Sequence, residues 1–445
     1  MQASDCGHYH LVGVAGVGMS ALAQALLAEG CAVSGSDRQA DRAGELDILR
    51  KLRLAGVRLV AQDGSGMNRA SKAVVVSTAI EKDNPDVQAS QAAAVPVFHR
   101  AEMLAKLAEG HRCIAVTGTS GKTTVTGMLG WILEALGQDP TVVNGGAVLN
   151  WLSSDRIGNV RIGRSGLWVI EADESDRSLL RYRPDWAIIT NMSRDHFPMD
   201  ETEALFREFR RQVRRGAVGA LDTPAACEAL RVERTGRGMR FEHGGVAFGV
   251  PLPGRHNAEN ALLAVLLCER LGLDLRRVSE ALASFRGIER RLETVGVVNG
   301  VTVVDEYAHN TAKIRAAWEA MAPHAKRILA VWRPHGFAPL ANMLEDLVAL
   351  FGTLCVPPHQ LYLLPVYYAG GTADRRVGSE ILQERLQACG CAVSLLPDRA
   401  RLLDELARTA RNGDAVLVMG ARDPDLPVLA RDLVQRLTRR TSPVG

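Results

Sequence analysis

The run Val116-Thr117-Gly118-Thr119-Ser120-Gly121-Lys122-Thr123-Thr124 puts small residues, one lysine and several hydroxyls side by side. Glycines let backbone N–H groups approach a polyphosphate, the lysine can reach its β- and γ-phosphates, and the next hydroxyl can take a Mg²⁺ ion. The run leaves an apolar stretch that predicts a strand over 113–117 and enters one that predicts a helix over 122–136, whose N-terminus favours anions. It falls short of G-x-x-x-x-G-K-[ST], because Val116 stands where the first glycine belongs. Gly118, Thr119, Ser120, Gly121, Lys122, Thr123 and Thr124 are therefore the expected nucleotide cradle. The rival reading is a Gly-rich strand-to-helix turn.

A second glycine loop, Gly13-Val14-Ala15-Gly16-Val17-Gly18-Met19-Ser20, follows a strand expected over 10–14. Its glycines run G-x-x-G-x-G rather than the dinucleotide order G-x-G-x-x-G, so an NAD fingerprint is not met. A helix start still suits a diphosphate there. Ser36 and Asp37 close the next expected strand, within reach of a ribose or base. Gly16, Gly18, Met19, Ser36 and Asp37 are candidates for that second site; a tight turn needing small residues is the alternative.

The elements that must carry these loops alternate along the whole chain. Short β-branched runs at 31–34, 73–77, 113–117, 167–170 and 185–190 are separated by amphipathic stretches, the rhythm of parallel sheets with helices on both faces. Residues 238–249 alternate more like a hairpin. Further strands are expected over 301–304, 327–331, 361–365, 393–396 and 415–419. We read an α/β chain of three domains, 1–108, 109–293 and 294–445.

With 445 residues, 47% apolar and 23% charged, the composition is that of globular domains. A formal charge of +3 gives no electrostatic case for a nucleic-acid or membrane-surface partner. The longest apolar run, Ala261 to Cys268, is under half of the roughly 20 residues a bilayer span needs. No basic segment precedes the first apolar stretch, so a secretory signal is not expected. Eight cysteines without a CxxC pair suit reduced thiols and a cytoplasmic location, and exclude a zinc ribbon.

Taken together, the motifs resemble the Mur ligases, ATP-dependent enzymes that build the peptide of bacterial cell-wall precursors. Thr117 to Thr124 is similar to that family's shortened phosphate loop. Glu171-Ala172-Asp173-Glu174-Ser175-Asp176 resembles its acidic strand end, and Asn191-Met192-Ser193-Arg194-Asp195-His196 its N-x-x-x-D-H element. Arg255-His256-Asn257-Ala258-Glu259-Asn260 resembles the adenine-side helix start, Arg290 to Glu293 the joint before the last domain, and Tyr307-Ala308-His309 a Y-A-H element. The resemblance implies a Rossmann-like UDP-binding domain, a P-loop-type ATPase domain and a Rossmann-like C-terminal domain. It implies ATP and Mg²⁺ as cofactors, with Thr123, Glu171 and His196 around the metal and Lys122 on the phosphates. Asn257 and Asn260 would face adenine, with N-capping by Asn257 as the rival. Arg291 would reach the γ-phosphate, with Glu306 beside it.

Met19-Ser20, Ser34-Gly35-Ser36-Asp37, Ser77-Thr78 and Arg100 to Leu104 resemble the branch that acts directly on UDP-N-acetylmuramate, adding L-alanine. The partners implied are that UDP-sugar and an amino acid or short peptide, with Ser77, Thr78, Tyr307 and His309 on the substrate side. Members of other branches carbamylate a central-domain lysine to help hold metal; here no lysine occurs between Lys122 and Lys313. Some positions depart from the pattern. Ser120 replaces a histidine, Glu306 an aspartate and Thr311 a proline. Pro334-His335 keeps its catalytic-site histidine, but Gly336 and Pro339 stand where arginines help receive carboxylates, and Arg422 replaces a glycine. L-alanine is the default amine. A recycled peptide as amine, or a weakened paralogue that only binds UDP-sugar or ATP, stays open. The sequence does not give the oligomeric state.

Overall fold

A computed structural model describes residues 6–40, 46–67, 69–193, 197–368 and 375–439. The chain divides into two compact units: the first runs to Ile288, and the second comprises 289–445 together with Gly236–Gly238 and Leu252–Arg255.

Among the described residues the first unit holds two parallel or mainly parallel sheets. The first has β1 (His8–Val12), β2 (Ala32–Ser36), β3 (Arg58–Val60), β4 (Ser71–Val76) and β5 (Val97–His99), in the order β3-β2-β1-β4-β5. All its pairings are parallel. The sequence places β1 at 10–14, two residues too late. Gly13 takes a φ of +74°, and both Gly13 N–H and Val14 N–H turn to donate to Ser36 O, which ends the strand. β3 and β5, of three residues each, are too short to show a pattern.

The second sheet has β6 (Arg112–Thr117), β7 (Thr141–Val143), β8 (Val160–Arg161), β9 (Leu167–Glu171), β10 (Trp186–Ile189) and β11 (Gly216–Gly219), ordered β11-β10-β6-β9-β7-β8. Only β8 runs antiparallel. β6 is buried from Cys113 to Thr117, as a central strand covered on both faces must be. The helix Lys122–Ala135 buries Val125, Met128, Leu129, Ile132 and Leu133, a helical stripe laid on the sheet. The expected hairpin forms as β12 (Val232–Thr235), β13 (Gly238–His243) and β14 (Val246–Val250). The longest apolar run lies inside the helix Arg255–Arg270, where Ala261 to Cys268 are all buried. Among the described residues no helix is long and apolar enough to cross a membrane.

The second unit's sheet has β15 (Glu293–Val298), β16 (Val301–Glu306), β17 (Arg327–Trp332), β18 (Gln360–Leu363), β19 (Val393–Leu395) and β20 (Asp414–Met419), ordered β15-β16-β20-β17-β18-β19. β15 is its antiparallel edge. Separate apolar clusters cover the two faces: Trp318, Trp332 and Phe351 lie on one, Tyr362, Leu406 and Leu433 on the other.

Candidate active site

Sheet order puts the phosphate loop at the end of β6, with β10 on one side and β9 on the other, so both neighbours deliver residues to it. From the β10 side, Thr190 N–H donates to Thr117 O at 2.8 Å and Thr190 Oγ1 donates to Ser120 O at 2.6 Å. Asn191 clamps the loop: its amide donates to Ser120 O at 2.9 Å, and its Oδ1 and backbone O accept from Ser120 N–H and Thr119 N–H. Thr119 Oγ1 exchanges hydrogen bonds with the Ser193 backbone. Gly118 is required here, because it sits at φ +127° and a Cβ would stand 2.1 Å from Thr190 Oγ1. Thr124 lies buried in the first turn of the helix that follows.

From the β9 side comes the acid. Glu171 Oε1 accepts from Thr123 Oγ1 at 3.1 Å, while Oε2 accepts from Gly145 N–H at 2.8 Å. A Cβ at residue 145 would stand 2.5 Å from that carboxylate, so the glycine admits it. Two hard oxygen donors on adjacent elements fit Mg²⁺, which keeps waters and phosphate oxygens as its other ligands. Among the described residues no group of three or more His, Cys, Asp or Glu gathers to hold a metal. The expected third ligand, His196, lies outside the described residues.

Lys122 Nζ donates to Gly118 O at 3.0 Å and to Glu174 Oε2 at 2.5 Å, with Asp173 Oδ1 at 3.8 Å. Burial opposes its charge, but Glu174, Asp173 and Glu171 hold its ammonium above the ordinary lysine value. Burial likewise pushes the Glu174 carboxyl up to about 7 against the pull of Lys122. Glu174 was hidden among four acids in one six-residue run. Nothing in that run marks which acid turns inward.

Asn257 and Asn260 are both buried within the helix Arg255–Arg270, Asn257 at its third residue. N-capping by Asn257 is thereby excluded. The Asn260 amide lies against the loop, since a Cβ on Gly121 (φ +85°) would stand 2.4 Å from its Oδ1.

In the first sheet the glycine loop leaves β1 beside β4, where the strand order reverses. The helix Val17–Ala28 starts at Gly16 with no side-chain cap, which leaves its first N–H groups for an anion. A Cβ on Gly18 would meet Arg100 at 3.0 Å, and Met19 is buried behind the turn. Asp37 accepts from Ala15 N–H and Gln39 N–H, both at 2.9 Å, so its carboxylate shapes the loop. Ser36 Oγ donates to Asp86 Oδ2 at 2.5 Å, and His10 Nε2 lies 3.2 Å from the same oxygen. His10 and Asp86 are fully buried, and sequence reading missed both. Ser77 and Thr78 form the turn after β4, with Thr78 exposed.

In the second unit β16, β20 and β17 are adjacent and parallel, which brings their carboxyl ends together. His309 and His335 follow β16 and β17, and their rings meet edge-on at 5.1 Å. Nδ1 of His309 faces Tyr307 O at 3.0 Å, an arrangement that makes Nδ1 the protonated nitrogen. Burial, then Lys313, pushes His309 down to about 4; burial and Arg422 lower His335 as well. Both imidazoles are thereby held toward their neutral form. The Arg291 guanidinium stacks 5.1 Å from the Tyr307 ring, and Glu306 accepts from Leu292 N–H at 2.7 Å, fixing the backbone next to Arg291. Arg333 does not stand free to receive a substrate carboxylate: it donates to the fully buried Asp423 at 2.6 Å and to Pro365 O at 3.1 Å.

Three family models match in chain order: the Mur ligase family catalytic domain over 8–112, the Mur ligase middle domain over 116–210, and the Mur ligase glutamate ligase domain over 290–422. The chain is 34% identical to a UDP-N-acetylmuramate–L-alanine ligase of Rhizobium etli, over 93% of this chain and 94% of that one. Its fold is similar to that of the UDP-N-acetylmuramate-alanine ligase of Thermotoga maritima, with a TM-score of 0.78 at 24% identity, covering 98% of this chain and 100% of that one. It is also similar to a murein peptide ligase of Psychrobacter arcticus, with a TM-score of 0.67 at 21% identity, over 98% and 100%. Phosphate loop, acidic strand end and Tyr-Ala-His element thus sit on one continuous likeness, and the chain belongs to the Mur ligase family.

Proposed function

We propose that the chain is an ATP-dependent amide ligase of peptidoglycan precursor synthesis in the cytoplasm, joining the lactyl carboxylate of UDP-N-acetylmuramate to the amine of L-alanine. The observation that carries the reading is the phosphate loop: Lys122 on one side, the Thr123–Glu171 oxygen pair on the other, clamped between β9 and β10. The likeness to the Rhizobium etli ligase over nearly the whole chain supplies the substrate pair.

A carboxylate and an amine do not condense in neutral water, so the carboxylate must first take the γ-phosphoryl group of ATP. The resulting acyl phosphate is then attacked by the amine, and phosphate leaves. Such chemistry asks the protein mainly for positioning and charge neutralisation. Lys122 balances the phosphates, and Asn260 stands beside the loop to orient the nucleotide. Thr123 and Glu171 would hold Mg²⁺, with His196 as the further ligand; the ion neutralises phosphate charge when bound. The imidazoles of His309 and His335, held toward their neutral form, can accept hydrogen bonds from an incoming amine. Residues 1–108 would take the UDP-sugar, 109–293 the ATP and 294–445 the amine.

Phosphate release measured with ATP alone, with each substrate singly and with all together tests the proposal. Release that needs both UDP-N-acetylmuramate and an amine is the expected result. Release independent of the UDP-sugar would end it.

A further inference from the structure

Lys122 is the cation of the phosphate loop, yet its charge is already matched inside the protein. Glu174 is 3% exposed and holds the ammonium at 2.5 Å through Oε2, while its other oxygen, Oε1, is buried with no hydrogen-bond partner among the described residues. Gly118 O takes a second direction of the ammonium at 3.0 Å, and Asp173 lies at 3.8 Å. An ammonium has three protons; with two on Glu174 and Gly118 O, a phosphate oxygen meets the one remaining proton of a cation whose charge Glu174 already balances, and it binds at full strength only where that carboxylate gives way. Gly118 O cannot retreat, because Thr190 and Asn191 pin the loop from Thr117 to Ser120. The Asp173 contact is too long to compete. Glu174, on a side chain with rotatable bonds and one oxygen unbonded, is the partner that exchanges.

We propose that Glu174 is a positioning residue that competes with nucleotide phosphate for Lys122, and so sets how quickly ADP leaves after each turnover. The inference rests on the nucleotide site described above. A loop lysine without such a rival would hold ADP more tightly and release it more slowly.

The test is titration calorimetry of the full chain with MgADP at pH 8, joined to steady-state rates. Glu174→Gln should bind ADP about tenfold more tightly than the parent, and kcat should fall while the KM for ATP falls with it. Glu174→Asp keeps the charge but draws the carboxylate back by one methylene; it should also tighten ADP binding, and it carries the test should the glutamine variant not fold. Asp173→Asn, which removes a nearby charge without touching the 2.5 Å contact, should change the ADP Kd less than threefold. Unchanged or weaker ADP binding in both Glu174 variants overturns the proposal. So does equal tightening by Asp173→Asn, which would make the effect one of general charge. Failure of the parent protein to bind ADP or ATP at all would instead remove the nucleotide site itself.

Discussion

Arg333 and Asp423 form an ion pair at 2.6 Å, between the segments that follow two adjacent strands, with the aspartate fully buried. Asp423 Oδ1 also accepts from Asp425 N–H, which starts the helix Asp425–Arg439. Truncating the arginine strands a buried carboxylate, and breaking such a pair typically costs about 3–5 kcal/mol. We expect Arg333→Ala to lower the unfolding free energy of the second unit by that order, read from the shift of its denaturant midpoint. The double change Arg333→Met with Asp423→Leu should recover much of the loss. A single variant as stable as the parent would show that the pair only decorates the loop.

The same pair bears on the amine. With Gly336 and Pro339 in place of arginines and Arg333 committed to Asp423, two charge-assisted contacts to a carboxylate are absent from this segment, each worth about 1.5–3 kcal/mol. Free L-alanine is therefore expected to saturate at least about a hundredfold less readily than in a ligase with both arginines. A series with L-alanine, glycine, L-serine, L-alaninamide and L-alanyl-γ-D-glutamate measures this. Sub-millimolar saturation by L-alanine with no turnover of the amide would show that another group receives the carboxylate.

Lys122→Ala should cut ligation at least about a hundredfold, the usual order for losing one preorganised donor to developing charge. UDP-N-acetylmuramate binding should persist, because the glycine loop after β1 is held in shape without the lysine, by Asp37 on Ala15 N–H and by Ser36 O on Gly13 and Val14 N–H. Titration of the folded variant with the UDP-sugar separates the two sites. Loss of that binding would place the sugar nucleotide at the lysine's own loop.

What could be read from residues alone follows from how local the signal is. The strand–Gly118…Thr124–helix run is contiguous, so its fold and chemistry appear together in one window. The carboxyl ends of β9 and β10 meet it only through sheet order, which no short window contains; Thr190 and Gly145 had no signal of their own. His8 and His10 alternate with apolar residues in β1, and that period-2 pattern was the available hint of the buried network reaching Ser34 and Asp86. Arg333 carries no local sign of its commitment, because its partner Asp423 lies 90 positions away.

Asp305 gives the second unit a pH dependence. It is 1% exposed, neither oxygen has a hydrogen-bond partner among the described residues, and the nearest guanidinium, Arg290 Nε, lies 3.5 Å away. Burial raises its carboxyl to about 6, against the partial help of Arg290. A folded value above the unfolded one means that the folded state binds the proton more tightly. Its contribution to stability is therefore complete below about pH 4 and is lost as pH rises through 6. A rise of that size corresponds to about 3 kcal/mol at most. Asp305→Asn should be compared with the parent by chemical denaturation at about pH 4.5 and about pH 8. The parent is expected to lose about 2 kcal/mol relative to the variant between those pH values. Parallel pH profiles for the two proteins would mean that Asp305 stays ionised in the fold, with water or a shifted Arg290 completing its hydrogen bonds.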